Sequence, residues 1–198
     1  MRKKVHFRYW LSFIILIVLL LVFIFWNINS GSISISLNDI FQILFHKNGD
    51  ETAYNIVWEI RLPRILAAVI LGGALSVSGF LLQTFFGNPI AGPFVLGISS
   101  GAKLIVALTM IYLLGKSMVA TSGLMILAAF TGSLISMGFV LLISRKVKQM
   151  SMLVVSGIMI GYICSAITDF VVTFADDSNI VNLHNWSLGS FSGTSWDN

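Results

Sequence analysis

Gly97-Ile98-Ser99-Ser100-Gly101 has the G-x-S-x-G spacing that, on a sharp strand-to-helix turn, presents a serine nucleophile to a carbonyl carbon. That chemistry needs a strand before the serine, a histidine base and an acid to orient it. Only the following helix is suggested here, and His184 is the sole later histidine. His6 and His46 are isolated, and no His, Cys or carboxylate group has metal-ligand spacing. Cys164, inside an apolar stretch, reads as a small packing residue. There is no Walker A sequence, so this chain cannot hydrolyse ATP by that route. Neither a metal nor a cofactor is expected in it.

The remaining candidates would act by binding or by shaping a path. Arg61 and Arg64 flank Pro63 in RLPR, where the proline suits the first turn of a helix. Ordinary interfacial arginines, which snorkel or bind lipid phosphates, are the plain alternative. Gln83, Asn88 and Pro89 follow on the same apolar segment, with Asn88-Pro89 also readable as a simple turn signal.

The elements that carry these residues are membrane helices. Of 198 residues 57% are hydrophobic and 10% charged, and the mean hydropathy is +0.92. A soluble domain of this length does not tolerate that balance, so we expect an all-α integral membrane protein. A spanning helix needs roughly 20 apolar residues to cross roughly 30 Å of hydrocarbon. About five segments qualify: 9–28, 64–86, 94–114, 118–143 and 151–174. The first follows Arg2, Lys3, Lys4 and Arg8, but it is too long for a signal-peptide core and no small-x-small site follows it. It reads as a retained helix. Ser36 before Leu37, Ile40, Phe41 and Leu44 marks the N-cap of a short amphipathic surface helix.

The third segment is irregular. Pro89, Pro93, Gly97, Ser99, Ser100 and Gly101 do not make a lipid-facing helix, and 102–114 alone covers only about 20 Å. Non-helical backbone at membrane depth survives only against protein or a watery cavity. Small residues recur every four positions at Ala68, Gly72 and Ser76, at Ala128, Gly132 and Ser136, and at Gly157, Gly161 and Ser165. Such faces allow close helix packing, or line a pathway. Asp169 extends the last of them by one turn.

Cations set the orientation. With the N-terminus in the cytoplasm, Arg2, Lys3, Lys4, Arg8, Lys103, Arg145, Lys146 and Lys148 lie inside, and Lys47, Arg61, Arg64 and Lys116 lie outside. All eight carboxylates then fall at or near the outer side. The net charge of +4 is thereby accounted for by topology, and no nucleic acid is implied. The same topology puts Ser99 and His184 on opposite sides of the bilayer. A serine intramembrane protease is nonetheless the rival from another class; Ser99→Ala would abolish it and spare a transporter.

The run from Arg61 to Lys103 contains Arg61, Pro63 and Arg64, then Gly72, Gly79 and Gln83, then Asn88, Pro89, Ala91 and Pro93, and finally Leu96, Gly97, Ser100 and Gly101. This ordered set resembles the signature of the FecCD family of ABC permeases, which serve iron-siderophore, haem and cobalamin import. Trp186 to Trp196, with Gly189 and Ser190 between them, resembles the aromatic-bounded, Gly/Ser-rich outer loop that follows the family's fifth helix.

The resemblance implies a bundle of the type II ABC importer permease kind, with about ten helices per subunit. On that footing 1–198 is the N-terminal part of a single transmembrane permease domain and the C-terminal half is missing. It implies a multi-pass protein of the cell membrane that pairs with a second permease subunit, identical or paralogous. ABC ATPase subunits use the ATP, and an extracytoplasmic binding protein delivers the cargo. Arg61 and Arg64 would meet carboxylates of that binding protein. Gln83, Asn88, Pro89, Gly97, Ser100 and Gly101 would line or narrow the pathway. Gln149, Met150 and Ser151 resemble a short cytoplasmic gate loop, where Met150 departs from the small hydroxyl residues of some relatives.

Overall fold

The computed structural model describes residues 2–31, 33, 35–46, 50–92, 94–114, 121–147 and 149–196. Lys47, Pro93, Lys116, Lys148 and Asp197, used above for topology and motif, lie outside the described residues, as does the start of the segment expected at 118–143. All regular structure among the described residues is helical: α1 (Arg2–Asn29), α2 (Leu37–His46), α3 (Glu51–Asn55), a π turn (Ile56–Arg61), α4 (Leu62–Phe86), α5 (Ile98–Leu114), α6 (Ser122–Ser144), α7 (Met150–Val172) and α8 (Asp177–Leu188). The chain divides into two compact units, 1–72 with 191–198, and 73–190.

Among the described residues, four helical stretches are long and apolar enough to cross a membrane: His6–Asn29, Glu51–Phe86, Ser122–Ser144 and Met150–Val172. The second is a continuous run of 36 residues, roughly 50 Å, so it outreaches roughly 30 Å of hydrocarbon and carries α3 and the π turn past one face. α5 has 17 residues, about 25 Å, and starts at Ile98 rather than at Phe94. Gly97 stops it from starting sooner, since its φ of +72° is outside the helical range. Ser99, Ser100 and Gly101, expected in the irregular stretch, form its first turn instead.

In the first unit, Ile28, Ile35, Ile40, Ile43, Val57 and Ile65 form a core between the end of α1, α2, the π turn and the start of α4. α2 begins as expected at Ser36. The Ser36 hydroxyl accepts from the Asp39 amide at 3.2 Å and donates to Asp39 Oδ2 at 2.6 Å, so two groups at the helix start satisfy each other.

In the second unit α5 packs on α6, α7 and α8. Val106, Ala107 and Met110 meet Met125, Ala128 and Leu183, while Phe86, Ala91 and Leu96 meet Val140, Leu153 and Val154. α8 is absent from the sequence expectation. Asp176 at its N-cap and the spacing of Asn179, Leu183 and Trp186 were the available signals.

Candidate functional site

At the junction of α5, α6 and α7 the backbones nearly touch. A Cβ on Gly97 would lie 2.6 Å from the Gly157 carbonyl oxygen, and one on Gly101 would lie 1.8 Å from Ser136 Oγ. Gly132 faces the Gly101 carbonyl in the same way. The small-residue faces of α6 and α7 are therefore packing faces, and Gly97 and Gly101 are buried in them. Ser165 donates to Ser100 Oγ at 3.4 Å, and Ser136 Oγ lies 3.7 Å from Cys164 Sγ. Small polar side chains thus pair across the crossing and leave no open channel between these particular residues. Ser99, half-buried, is hydrogen-bonded to no histidine or carboxylate among the described residues.

Gln83, Thr84, Gly87 and Asn88 close α4. The Asn88 amide donates to Gln83 O at 3.1 Å and the Gly87 amide to Thr84 O at 3.3 Å, with Gly87 at φ +56°. This is the double-bonded C-terminal cap that requires a left-handed residue. Asn88 Oδ1 then accepts from the Ile90 amide at 2.9 Å, so its side chain is spent on the turn. Gln83 and Pro89 are exposed. Gln149 is the residue before α7, its carbonyl accepting from the Leu153 amide at 3.3 Å. Met150 and Ser151 open that helix, and all three side chains are exposed.

Trp186 is not in a loop. It lies in α8, half-buried against the Val106 and Leu183 cluster, and Gly189 and Ser190 follow the helix. The segment expected as one outer loop is divided, since Trp196 belongs to the other unit. There Trp196 Nε1 donates to Trp58 O at 2.7 Å, and the two indoles lie 6.3 Å apart.

Arg61 is 8% exposed, its guanidinium donating to Ile28 O and, at 2.6 Å, to Ile33 O. It ties the end of α1 and the next loop to the π turn. Arg64 is half-buried and donates to Ser192 O at 2.7 Å, while its Nε is buried without a described acceptor. The extra residue in the π turn changes the angular spacing along the helix, which lets Arg61 point into the core while Arg64 stays nearer the surface. Both line a partly open cavity of about 830 Å³.

The fold and these sites define a polytopic helical membrane protein built around close helix crossings, with an arginine pair near the start of its long fourth helix. The FecCD transport family model matches residues 19–198, and the chain belongs to that family. It is 35% identical over 195 residues to the vitamin B12 import system permease protein BtuC of Shigella boydii, covering 98% of this chain and 55% of that protein. To the hemin transport system permease protein HmuU of Yersinia pestis it is 33% identical over 197 residues, covering 99% and 57%. The chain spans about half the length of the curated relatives it matches. Its fold matches a solved structure described as an inward-facing conformation of a candidate metal-chelate type ABC transporter, with a TM-score of 0.74 at 23% identity, over 92% of this chain and 54% of that one.

Proposed function

We propose that the protein is a permease subunit of an ABC importer that carries a metal chelate across the cell membrane, an iron-siderophore complex in the first instance and haem or cobalamin as alternatives. The family match over 19–198 carries this reading. It acts without covalent chemistry: a large polar chelate cannot enter lipid, so the helices alternate access to a cavity between paired subunits while partner ATPases hydrolyse ATP. The N-terminus is cytoplasmic, because eight of the twelve cations then collect on the inner side.

Docking of the binding protein falls on the arginine pair. Arg64, half-exposed, is placed to touch a carboxylate, while Arg61, buried under the 28–33 loop, adds its field from below. No carboxylate among the described residues lies within ion-pair distance of either. Gln83, Pro89 and the Gln149–Ser151 turn are the pathway and gate positions. Gly97, Ser100 and Gly101 serve the pathway indirectly, by fixing how closely α5 sits against α6 and α7.

Uptake of labelled iron-siderophore, haem and cobalamin, compared in cells with and without the gene, tests the reading. Loss of one cargo, restored by complementation, is expected and names it. Unchanged uptake of all three, in a strain with no redundant importer, overturns the cargo class.

A further inference from the structure

The Leu62 amide donates to Val57 O, five residues back, and so ends the π turn. In the same register the next amide would reach Trp58 O, but residue 63 is proline and carries no N–H. Trp58 O therefore has no donor from the following turn of its own helix. Trp196 supplies one, its Nε1 donating to Trp58 O at 2.7 Å. The rings add to that tie: Tyr54, Trp58 and Trp196 stand in a row, with successive centroids 6.2 and 6.3 Å apart.

The segment bearing Trp196 meets the same helix a second time, where Ser192 O accepts from Arg64 Nη2 at 2.7 Å. The Thr194 amide closes a turn onto Phe191 O at 3.1 Å, and Ser192 lies inside that turn. Segment 191–196 thus runs back along the start of α4 and the π turn, and the Trp196 bond determines where the Ser192 carbonyl sits against Arg64. A neutral carbonyl orients a guanidinium without cancelling its charge. One such bond leaves others of its five N–H donors for a carboxylate.

We infer that Trp196 is a positioning residue for the docking contact. By donating to the carbonyl that Pro63 leaves open, it fixes Ser192 O, and Ser192 O presets the Arg64 guanidinium for a carboxylate of the binding protein. The inference rests on the docking role proposed above for Arg64. An arginine side chain ordered before docking loses less rotamer freedom when the carboxylate arrives, an advantage of roughly three- to tenfold in affinity. Trp196 itself need not touch the partner.

The test uses the assembled importer in nanodiscs, with its extracytoplasmic binding protein as the probe in a surface-binding measurement. Trp196→Phe is expected to weaken docking by roughly three- to tenfold beside intact Arg64, and by less than about twofold in an Arg64→Gln background, because it acts through that guanidinium. Equal weakening in both backgrounds would show a general structural role and overturn the inference. A second readout is independent of docking: phenylglyoxal modification of Arg64, followed by peptide mass mapping. It should quicken by about threefold or more in Trp196→Phe, while the exposed Arg145 reacts as before. Unchanged modification of Arg64 overturns the inference even where Arg64→Gln weakens docking. Arg64→Gln that leaves docking intact overturns the docking role itself, and the inference with it. Thermal unfolding checks that each variant is folded. If Trp196→Phe is not, Pro63→Ala, which offers Trp58 O an amide from its own helix, takes its place with the same expected outcomes.

Discussion

A Cβ on Gly161 of α7 would stand 3.1 Å from the Cα of Gly97, the residue just before α5. Gly97 is also held at φ +72°, so at this point the crossing depends on a residue with neither a side chain nor a left-handed penalty. The contact lies between apolar helices, where apolar surface gains nothing from leaving lipid and helices hold together by close approach.

Gly97→Ala is accordingly expected to destabilise the α5–α7 crossing by about 1–3 kcal/mol from overpacking, with roughly 1–2 kcal/mol more from the backbone. Gly79→Ala, where a Cβ meets nothing within 4 Å, should be neutral or slightly stabilising. Unfolding of both variants in mixed detergent micelles measures the difference, and equal stability would remove the packing argument.

Arg61→Met leaves Ile28 O and Ile33 O without their buried donor, at a cost of about 1–3 kcal/mol. Hydrogen exchange at 28–33 should rise by about tenfold or more. Arg61→Lys should rescue only part of this, because one ammonium does not reproduce the fork that reaches both carbonyls.

Trp196→Phe keeps an aromatic ring but loses the indole N–H bond to Trp58 O, worth about 0.5–1.5 kcal/mol. Proteolysis within 191–196 should speed up while the rest of the chain is cut as before. Unchanged cleavage would mean that the segment's other bonds, Arg64 to Ser192 O among them, hold it without this one.

Asn88 separates a turn role from a ligand role. Asn88→Asp retains the acceptor for the Ile90 amide, and Asn88→Ala does not. If the side chain serves the turn, uptake of the identified cargo should survive the first change and fall with the second. Equal loss in both would mark direct contact with the cargo through the amide nitrogen.

Ser99→Ala should leave uptake within about twofold of normal, since the hydroxyl is joined to no base among the described residues. Abolished function would return the serine-enzyme alternative.

Much of the architecture is legible along the chain because lipid imposes it. Every backbone amide at membrane depth needs an internal partner, so long apolar runs such as 9–28 and 151–174 read directly as helices, and the Ser36 cap is a local bond between near neighbours. Two helical stretches escape that reading. The α3–π-turn segment and α8 are short and mixed in polarity, so their helicity follows from Val57 and Leu183 reaching cores supplied by distant residues.

By itself, then, the sequence determined the helical membrane class, the positions of the long spans and the family signature from Arg61 to Gly101, since all three rest on local composition and order. Only the tertiary structure decided what the signature residues do. It turned Gly97 and Gly101 into helix contacts, split Trp186 from Trp196, and sent Arg61 inward while leaving Arg64 nearer the surface. Those outcomes depend on which backbone arrives opposite each residue from 28 to 138 positions away, and no local pattern carries that distance.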